Sequence, residues 1–272
     1  MSDKVSVSDL KRFKQEGRKI TGIVAWDTHM ARIADLAGVD LISVGDTVGK
    51  NLWGHDNPLE ITMDEMMVVT KAVRRGTKRA LVSVDYPFGP LQEGTDAAVA
   101  AAIRFVKEGG VDMVKLDGAA EYPESVEAVT RAGIPVFAQI GMTPQTAMIY
   151  GMDYAAQAGP DAIVSDEMVD MLVAQAREME DAGAVMIDFT NSGPVAGAAV
   201  CEAVSIPVIG GFGGGPWLDG RVRMAHAAIG YAASWLEPKG ETYANVAQIA
   251  HKAFQDFAED VRAGRQLKGQ KG

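Results

Sequence analysis

The sequence predicts a single α/β domain over residues 1–272, folded as a (β/α)8 barrel of the TIM type. Short runs rich in Val, Ile and Leu alternate with longer amphipathic segments along the chain. Similar joints recur where a helix is followed by a strand: AGVDLI at 37–42, GGVDMV at 109–114 and AGAVMI at 182–187. About eight such strands in one domain favour a closed barrel over an open doubly wound sheet.

Near-continuous apolar strands are typical of parallel sheets that helices cover on both sides. The predicted strands are 20–25, 40–44, 80–85, 111–116, 135–139, 184–188, 206–210 and, more weakly, 229–232. The predicted helices are one at the N-terminus, then 62–75, 92–108, 166–182 and 194–204, and a last amphipathic helix within 241–263. A glycine with positive φ is expected to end the helix at each repeated joint.

Composition excludes several classes of protein. A net charge of -10 and the lack of a basic, aromatic-rich stretch argue against nucleic acid as a partner. The single Cys201 rules out a disulfide scaffold. The N-terminus at 1–19 is too polar for a signal peptide, and no apolar run approaches the roughly 18 residues of a membrane span. We therefore expect a soluble, cytoplasmic protein without membrane contact.

Carboxylates follow five of the predicted strands: Asp27, Asp46, Asp85, Asp117 and Asp188. In a barrel, the C-terminal ends of the strands meet at one mouth, where active sites lie. Each aspartate taken alone is better explained as a helix cap or a turn residue. As a group they favour a site for a hard, oxygen-preferring cation such as Mg²⁺, because the histidines lack ligand spacing and the one cysteine offers no thiolate set.

Other polar features have two interpretations. Lys115 lies two residues before Asp117 on one strand, so both side chains face the same way. It is either a structural ion-pair partner or a group that binds an anionic substrate. The glycine-rich GGFGGGPW at 210–217 suits either phosphate binding or close packing. His55 is interpreted as a loop residue.

Eight sequence blocks occur in the order and at roughly the spacing of one enzyme family. They are VGDTVGKNLWGHDNPLEIT (44–62), AVRRG (72–76), VDYPFG (84–89), MVKLDG (113–118), IGMTPQT (140–146), AGAVMIDF (182–189), IPVIGGFGGG (206–215) and DGRVRMAH (219–226). From about residue 8 to residue 260 the chain resembles ketopantoate hydroxymethyltransferase, with VGD, GHD and MTPQ as its most specific blocks.

The resemblance implies a barrel related to phosphoenolpyruvate mutase and isocitrate lyase. It also implies Mg²⁺ as cofactor, methylenetetrahydrofolate as co-substrate and transfer of a one-carbon unit to 3-methyl-2-oxobutanoate on the route to pantothenate. Family members form large homo-oligomers. By position, Asp46 and Asp85 would be metal ligands, with Asp117 near the metal where the family has glutamate. Thr47 and Lys115 would bind the oxo acid.

Two site residues depart from the family pattern. Asp188 stands where the family has its glutamate base and is one methylene shorter. Gln139 replaces a histidine of the fifth strand and cannot titrate near neutral pH. The segment 229–243 also lacks the usual glycine, histidine and lysine pattern. A Mg²⁺-dependent aldolase or lyase acting on another 2-oxo acid without folate, and a non-catalytic barrel, therefore remain alternatives to the transferase.

Overall fold

The computed structural model describes residues 4–143, 145–146, 164–190, 192–211, 215–238 and 240–269. Within them, eight strands close into a barrel in chain order, which confirms the predicted (β/α)8 fold. They are β1 Ile20–Val24, β2 Leu41–Val44, β3 Leu81–Asp85, β4 Met113–Asp117, β5 Val136–Gly141, β6 Met186–Thr190, β7 Val208–Gly210 and β8 Gly220–Met224. The first seven lie within two residues of their predicted bounds.

The prediction for the eighth strand was wrong. Residues 229–232 do not form a strand, since Ile229 follows a short helix and Gly230 turns the chain with a φ of 62°. The eighth strand is instead β8, which pairs in parallel with β7. Its sequence GRVRM alternates buried and exposed residues, so it lacks the continuous apolar run that identified the other strands.

Helices alternate with the strands along the chain. They are α1 Val7–Gln15, α2 Thr28–Leu36, α3 Met63–Gly76, α4 Thr95–Arg104, α5 Pro123–Arg131, α6 Asp166–Asp181, α7 Gly193–Ala203, α8 Ala225–Ala228 and α9 Val246–Arg262. The helix predicted at 92–108 begins later, at Thr95, because Gly94 takes a φ of 107°. It continues as a π-helical segment, Phe105–Gly109. The other predicted helices are confirmed within about two residues, and α9 occupies most of the predicted 241–263.

The lower part of the barrel is apolar and is closed by the N-terminal segment. Inward-facing side chains of the strands form one cluster with Leu10 and Phe13 of α1. The strand members of this cluster are Ile20, Leu41, Leu81, Met113, Phe137, Met186, Ile209 and Val222. Because this cluster fills the N-terminal half of the barrel, polar groups in the interior are confined to the opposite mouth.

Aspartates of the repeated joints fasten neighbouring strands at the N-terminal end of the barrel. Asp40, just before β2, accepts hydrogen bonds from the backbone N–H of Thr21 at 3.0 Å and from its hydroxyl. Asp112, just before β4, accepts from the N–H of Val82 at 2.9 Å. Nearby cations balance these charges: Arg18 and Arg79 at Asp40, and Lys4 and Arg74 at Asp112. The GVD joints thus stabilise strand pairing as well as ending helices.

The chain divides into two compact units, Met1–Val222 and Arg223–Gly272. In the second unit, the Thr242 hydroxyl donates to the carbonyl oxygen of Ala228 at 2.6 Å, and the side chain of Asn245 caps α9. Among the described helices, none has both the length and the apolar character needed to cross a bilayer. The single domain over 1–272 stays a prediction.

Candidate active site

Four buried aspartates meet at the C-terminal mouth of the barrel. Asp85, Asp117 and Asp188 lie on β3, β4 and β6, and Asp46 lies in the turn after β2. All four are at most 8% exposed. Since strand side chains alternate between faces, these three positions face inward with the apolar cluster, because Leu81, Met113 and Met186 lie four, four and two residues earlier on the same strands. The sequence-based grouping of these four carboxylates is supported by their burial together.

Lys115 is the cation of this group. Its Nζ lies 2.9 Å from Oδ2 of Asp188 and 3.4 Å from Oδ2 of Asp85. Burial opposes its charge, but the carboxylates of Asp188 and Asp85 outweigh burial and raise the pKa of Lys115 above its usual range. The ammonium also lies 5.8 Å from the ring centre of Phe137. Lys115 is therefore charged at neutral pH and is fixed between two strands.

The remaining carboxylates lack enough positive charge. Burial, and then the charges of Asp85 and Asp117, raise the pKa of Asp46 well above its ordinary value. Burial also raises the pKa of Asp85, against the opposing effect of Lys115, and raises the pKa of Asp117 to about 7. Four buried carboxylates face one ammonium, so the pocket favours a further cation.

Two serines below the site hold Asp85. The Ser83 hydroxyl donates to Oγ of Ser43 at 2.8 Å, and the Ser43 hydroxyl donates to Oδ1 of Asp85 at 3.4 Å. Both serines are buried inside the barrel. Sequence reasoning missed them, although a serine in each of the apolar strands LISV and LVSVD was a visible signal.

Thr47 lies at the edge of the site, half-buried, one residue after Asp46. A Cβ at Gly45 would lie 2.9 Å from the Thr47 hydroxyl oxygen and 2.8 Å from a methyl group of Val24. Gly45 therefore gives the turn after β2 the room to bring Asp46 and Thr47 to the mouth together.

Gln139 is a further polar residue at the mouth of the barrel. It pairs in register with Asp117 on one side and with Asp188 on the other. The residue is 7% exposed. A largely buried amide at the mouth can both donate and accept a hydrogen bond, so its place is suited to a ligand.

Asp188 has one bound and one open oxygen. Oδ2 pairs with Lys115, whereas Oδ1 is buried and has no hydrogen-bond partner in the described part of the chain. Oδ1 of Asp117 is in the same condition. Open, buried carboxylate oxygens are suited to bind a cation or to accept a proton.

Three other predicted features lie outside this group. Asp27 is exposed and caps α2, accepting from the N–H groups of His29 at 2.8 Å and Met30 at 2.9 Å, so its grouping with the other carboxylates was wrong. Its helix-cap alternative is the correct one. His55 lies in a loop, as predicted, and its N–H donates to the carbonyl oxygen of Gly49. In the glycine-rich segment, 212–214 lie outside the described residues, as does Pro144 of the MTPQT block.

The carboxylates could hold a hard divalent cation. In the described ranges, no three or more His, Cys, Asp and Glu side chains are grouped closely enough to bind a metal by themselves. Mg²⁺ commonly takes only one or two protein carboxylates and completes its octahedron with water and substrate oxygens. The raised pKa of Asp46 and Asp85 shows that this position favours positive charge. These two side chains, with Asp117 beside them, thus fit the cation.

Solved structures with this fold include enzymes acting on small acids. A phosphonopyruvate hydrolase matches with a TM-score of 0.61 and 15% identity over 97% of this chain and 90% of that one. A 2,3-dimethylmalate lyase, described as a member of the PEP mutase/isocitrate lyase superfamily, matches with a TM-score of 0.60 and 14% identity over 97% and 89% of the two chains. At such identities the likeness shows the fold alone.

Sequence comparison shows the family. The family model for ketopantoate hydroxymethyltransferase matches residues 4–266. A 3-methyl-2-oxobutanoate hydroxymethyltransferase of Cyanothece sp. is 38% identical over 95% of this chain and 96% of its own length. The enzyme of the same name from Thermobifida fusca is 37% identical over 96% of this chain and 90% of its own length. The chain belongs to the ketopantoate hydroxymethyltransferase family, a family of transferases.

Proposed function

We propose that this protein enolises a 2-oxo acid and adds a one-carbon unit to it, as a Mg²⁺-dependent enzyme like 3-methyl-2-oxobutanoate hydroxymethyltransferase with methylenetetrahydrofolate as the donor. The observation that carries this proposal is the carboxyl group of Asp188, with one oxygen bound to Lys115 and the other buried and open. A carboxylate in that condition at a barrel mouth is suited to take a proton from a bound substrate.

Asp46 and Asp85 would hold the metal, with Asp117 beside them. When bound, Mg²⁺ would supply a Lewis acid that polarises the ketone of the oxo acid and makes its C3 proton more acidic. Ser43 and Ser83 would keep the Asp85 carboxylate in one orientation through their hydroxyl groups.

Binding of the oxo acid would use two groups, the hydroxyl of Thr47 and the ammonium of Lys115. The Thr47 hydroxyl would donate to the substrate carboxylate, and the ammonium of Lys115 would attract its negative charge. Lys115 is already fixed by two carboxylates, so little side-chain freedom is lost when substrate arrives.

Proton transfer would be the task of Asp188. Its Oδ1 would accept the proton from C3, and the electron pair left at C3 would form a bond to the methylene carbon of the donor. The two carbon–nitrogen bonds of that carbon would be replaced by the bond to C3 and by a bond to a hydroxyl group from water. One proton from C3 and one from water would end on the two nitrogens of tetrahydrofolate. Lys115 would hold Oδ2 in place while the proton moves. The amide of Gln139, next to Asp188 in register, would orient an oxygen of the substrate or donor without supplying a proton.

A second candidate is an aldolase or lyase that acts on a different 2-oxo acid without folate. The amide of Gln139, where the family has histidine, and the side chain of Asp188, shorter than the family's glutamate, favour an altered substrate end. If the protein is a diverged hydroxymethyltransferase, Asp188→Glu combined with Gln139→His should raise its activity on 3-methyl-2-oxobutanoate.

The test follows deuterium exchange at C3 of 3-methyl-2-oxobutanoate by NMR, with and without Mg²⁺ and without folate. Wild-type protein should exchange the proton only with Mg²⁺. Asp46→Ala and Asp85→Ala should each lose this exchange, because a hard cation would lack an anionic ligand. Asp27→Ala is the matched control, since Asp27 follows a strand of the same barrel but only caps α2. Full exchange in either metal-ligand variant would overturn the metal assignment.

Donor identity is tested in a second step. Methylenetetrahydrofolate, formaldehyde and larger aldehydes are each added to the exchanging enzyme, and the carbon–carbon bond is detected by NMR. Product from methylenetetrahydrofolate supports the transferase. Product from aldehydes alone supports the aldolase, and exchange with neither product contradicts both.

A further inference from the structure

A small apolar recess lies beside the candidate site, between the ends of β4 and β5 and the first half of α6. Its volume is about 30 Å³. Five of its lining residues are large and apolar: Ile140, Met142, Met168, Met171 and Leu172. Met168, Met171, Leu172 and Gln175 are spaced as one face of a helix, so α6 forms a continuous wall.

The recess is next to the reacting centre. Gln139 lines it and pairs in register with Asp188, the proposed base. Gly118 also lines it and directly follows Asp117. A substrate whose C3 lies against Asp188 would therefore direct the carbons beyond C3 past Gln139, towards the recess.

The surface of the recess is mostly apolar, and its polar lining residues are Glu121, Gln139, Thr146, Gln175 and Ser192. Gln139 is 7% exposed and pairs in register with Asp188. Its amide, at the inner edge of an apolar wall, matches a ligand with a polar head and an apolar tail. Methionines make the wall adaptable in shape, which suits a chain of variable length.

Its volume limits the size of the tail. A cavity needs about 10–15 Å³ to hold one water molecule. A recess of about 30 Å³ therefore holds one or two groups of that size. The recess is thus too small for a fused heterocycle. It fits one or two extra methylene or methyl groups.

We propose that this recess is the side-chain pocket of the substrate, and that it selects branched 2-oxo acids with one or two carbons more than 3-methyl-2-oxobutanoate. The proposal rests on the proposed function for the placement of C3. Each methylene buried there should tighten binding about fourfold.

The experiment measures the affinity of the full-length protein, at saturating Mg²⁺, for three acids by calorimetry. They are 3-methyl-2-oxobutanoate, 3-methyl-2-oxopentanoate and 3-methyl-2-oxohexanoate. The variant Ala120→Leu fills the recess from the β4 side, and Met168→Ala enlarges it from α6. Ala128→Leu on α5 is the matched control, because Ala128 is also half-buried and does not line the recess. C3 exchange is followed for the same acids.

Wild-type protein should bind the pentanoate about fourfold more tightly than the butanoate. Ala120→Leu should reduce that ratio to one or below, Met168→Ala should raise the hexanoate to pentanoate ratio, and Ala128→Leu should keep the wild-type ratios. Ratios within one variant do not depend on the fraction that is folded.

Equal affinities for all three acids, or ratios that Ala120→Leu does not change, would overturn the pocket. Absence of any binding would overturn it as well. If the C3 proton of 3-methyl-2-oxobutanoate exchanges but the three acids bind with equal affinity, the pocket proposal is wrong and the proposed function still holds. Graded affinities without exchange support the pocket and contradict the proposed reaction.

Discussion

Lys115 organises the mouth of the barrel because it is one ammonium among four buried carboxylates. Its contacts at 2.9 Å to Asp188 and 3.4 Å to Asp85 join the strands β6 and β3 across β4. The charge is too small to satisfy Asp46 and Asp117, whose pKa values are raised by burial. The same buried carboxylates that cost stability would thus bind a cation, which is how function and stability oppose each other here.

The first prediction concerns Asp188. Asp188→Asn keeps the shape of the side chain but removes its charge and basicity, so most C3 exchange should be lost, by about 100-fold or more. Binding of Mg²⁺ and of the oxo acid should persist, because neither depends on proton transfer. NMR exchange and calorimetry measure the two properties separately. Unchanged exchange would mean that another group, with Lys115 as the next candidate, takes the proton.

The second prediction concerns the metal-free protein. Burial raises the pKa of Asp117 to about 7, from an ordinary 3.8. Between those values the folded state keeps a proton that the unfolded chain has released, so this group's contribution to stability falls as the pH rises through the window. Asp117→Asn should therefore be more stable than wild type above pH 7, on the order of 2–4 kcal/mol, and gain little at pH 4.

Thermal unfolding with a chelator present, at steps from pH 4 to pH 8, measures this difference. Asp64→Asn is the control, because the Asp64 side chain is 88% exposed and its removal should not change the pH profile. Parallel profiles for wild type and Asp117→Asn would contradict the prediction.

At the scale of elements, each end of the barrel has a separate task. The N-terminal end is closed by α1, whose Leu10 and Phe13 join the apolar cluster of the strands. A capping box between Ser6 and Asp9 fixes the start of that helix. The C-terminal end carries the polar site. Changes at α1 should therefore affect stability and leave the chemistry intact.

The third prediction tests this separation. Leu10 is fully buried, so Leu10→Ala should leave a cavity and lower the free energy of unfolding by about 3 kcal/mol. C3 exchange per folded molecule should not change. Urea unfolding gives the stability, and Lys11→Ala on the exposed face of α1 is the control. A loss below about 0.5 kcal/mol would show that α1 does not close the barrel.

Elements were predictable to the extent that their burial was complete. Six strands, β2 to β7, are buried along nearly their whole length, and their apolar runs identified them. β1 is only partly buried, but its sequence ITGIV is still mostly apolar. β8 has two exposed arginines, Arg221 and Arg223, and its pattern resembles that of a strand with one solvated face. The apolar IGYA at 229–232 fits the pattern of a buried strand better, although Gly230 turns the chain there. Pairing with β7 and closure of the ring, which no local pattern records, decide which segment is the eighth strand.

At the scale of the whole molecule, part of the excess negative charge of the acidic chain lies in one buried site, where four aspartates face Lys115. The net charge is -10, yet the carboxylates at the N-terminal end are balanced by Arg18, Arg79 and Arg74. In the part of the chain that the structure describes, those at the C-terminal mouth share only the ammonium of Lys115. The asymmetry would attract a divalent cation to that mouth.

The fourth prediction concerns assembly. Membership of the family leads us to expect a homo-oligomer, and an acidic surface of mixed charge does not oppose one. Light scattering at micromolar concentration should give a mass of at least two chains, each of 28.8 kDa. A mass of one chain across a dilution series would contradict the expectation.

The sequence by itself determined the barrel, the strands that end in carboxylates and the family, because these depend on burial patterns and on blocks of neighbouring residues. It could not separate Asp27, a helix cap, from Asp46, Asp85, Asp117 and Asp188, since all five follow a strand in the same way. Tertiary structure alone decided that difference. Lys115 forms an ion pair with Asp188 of another strand, and the Ser43 hydroxyl donates to Asp85. Gln139 lines one recess together with apolar residues of α6. Closure of the barrel brings these positions together, although they are far apart in the chain.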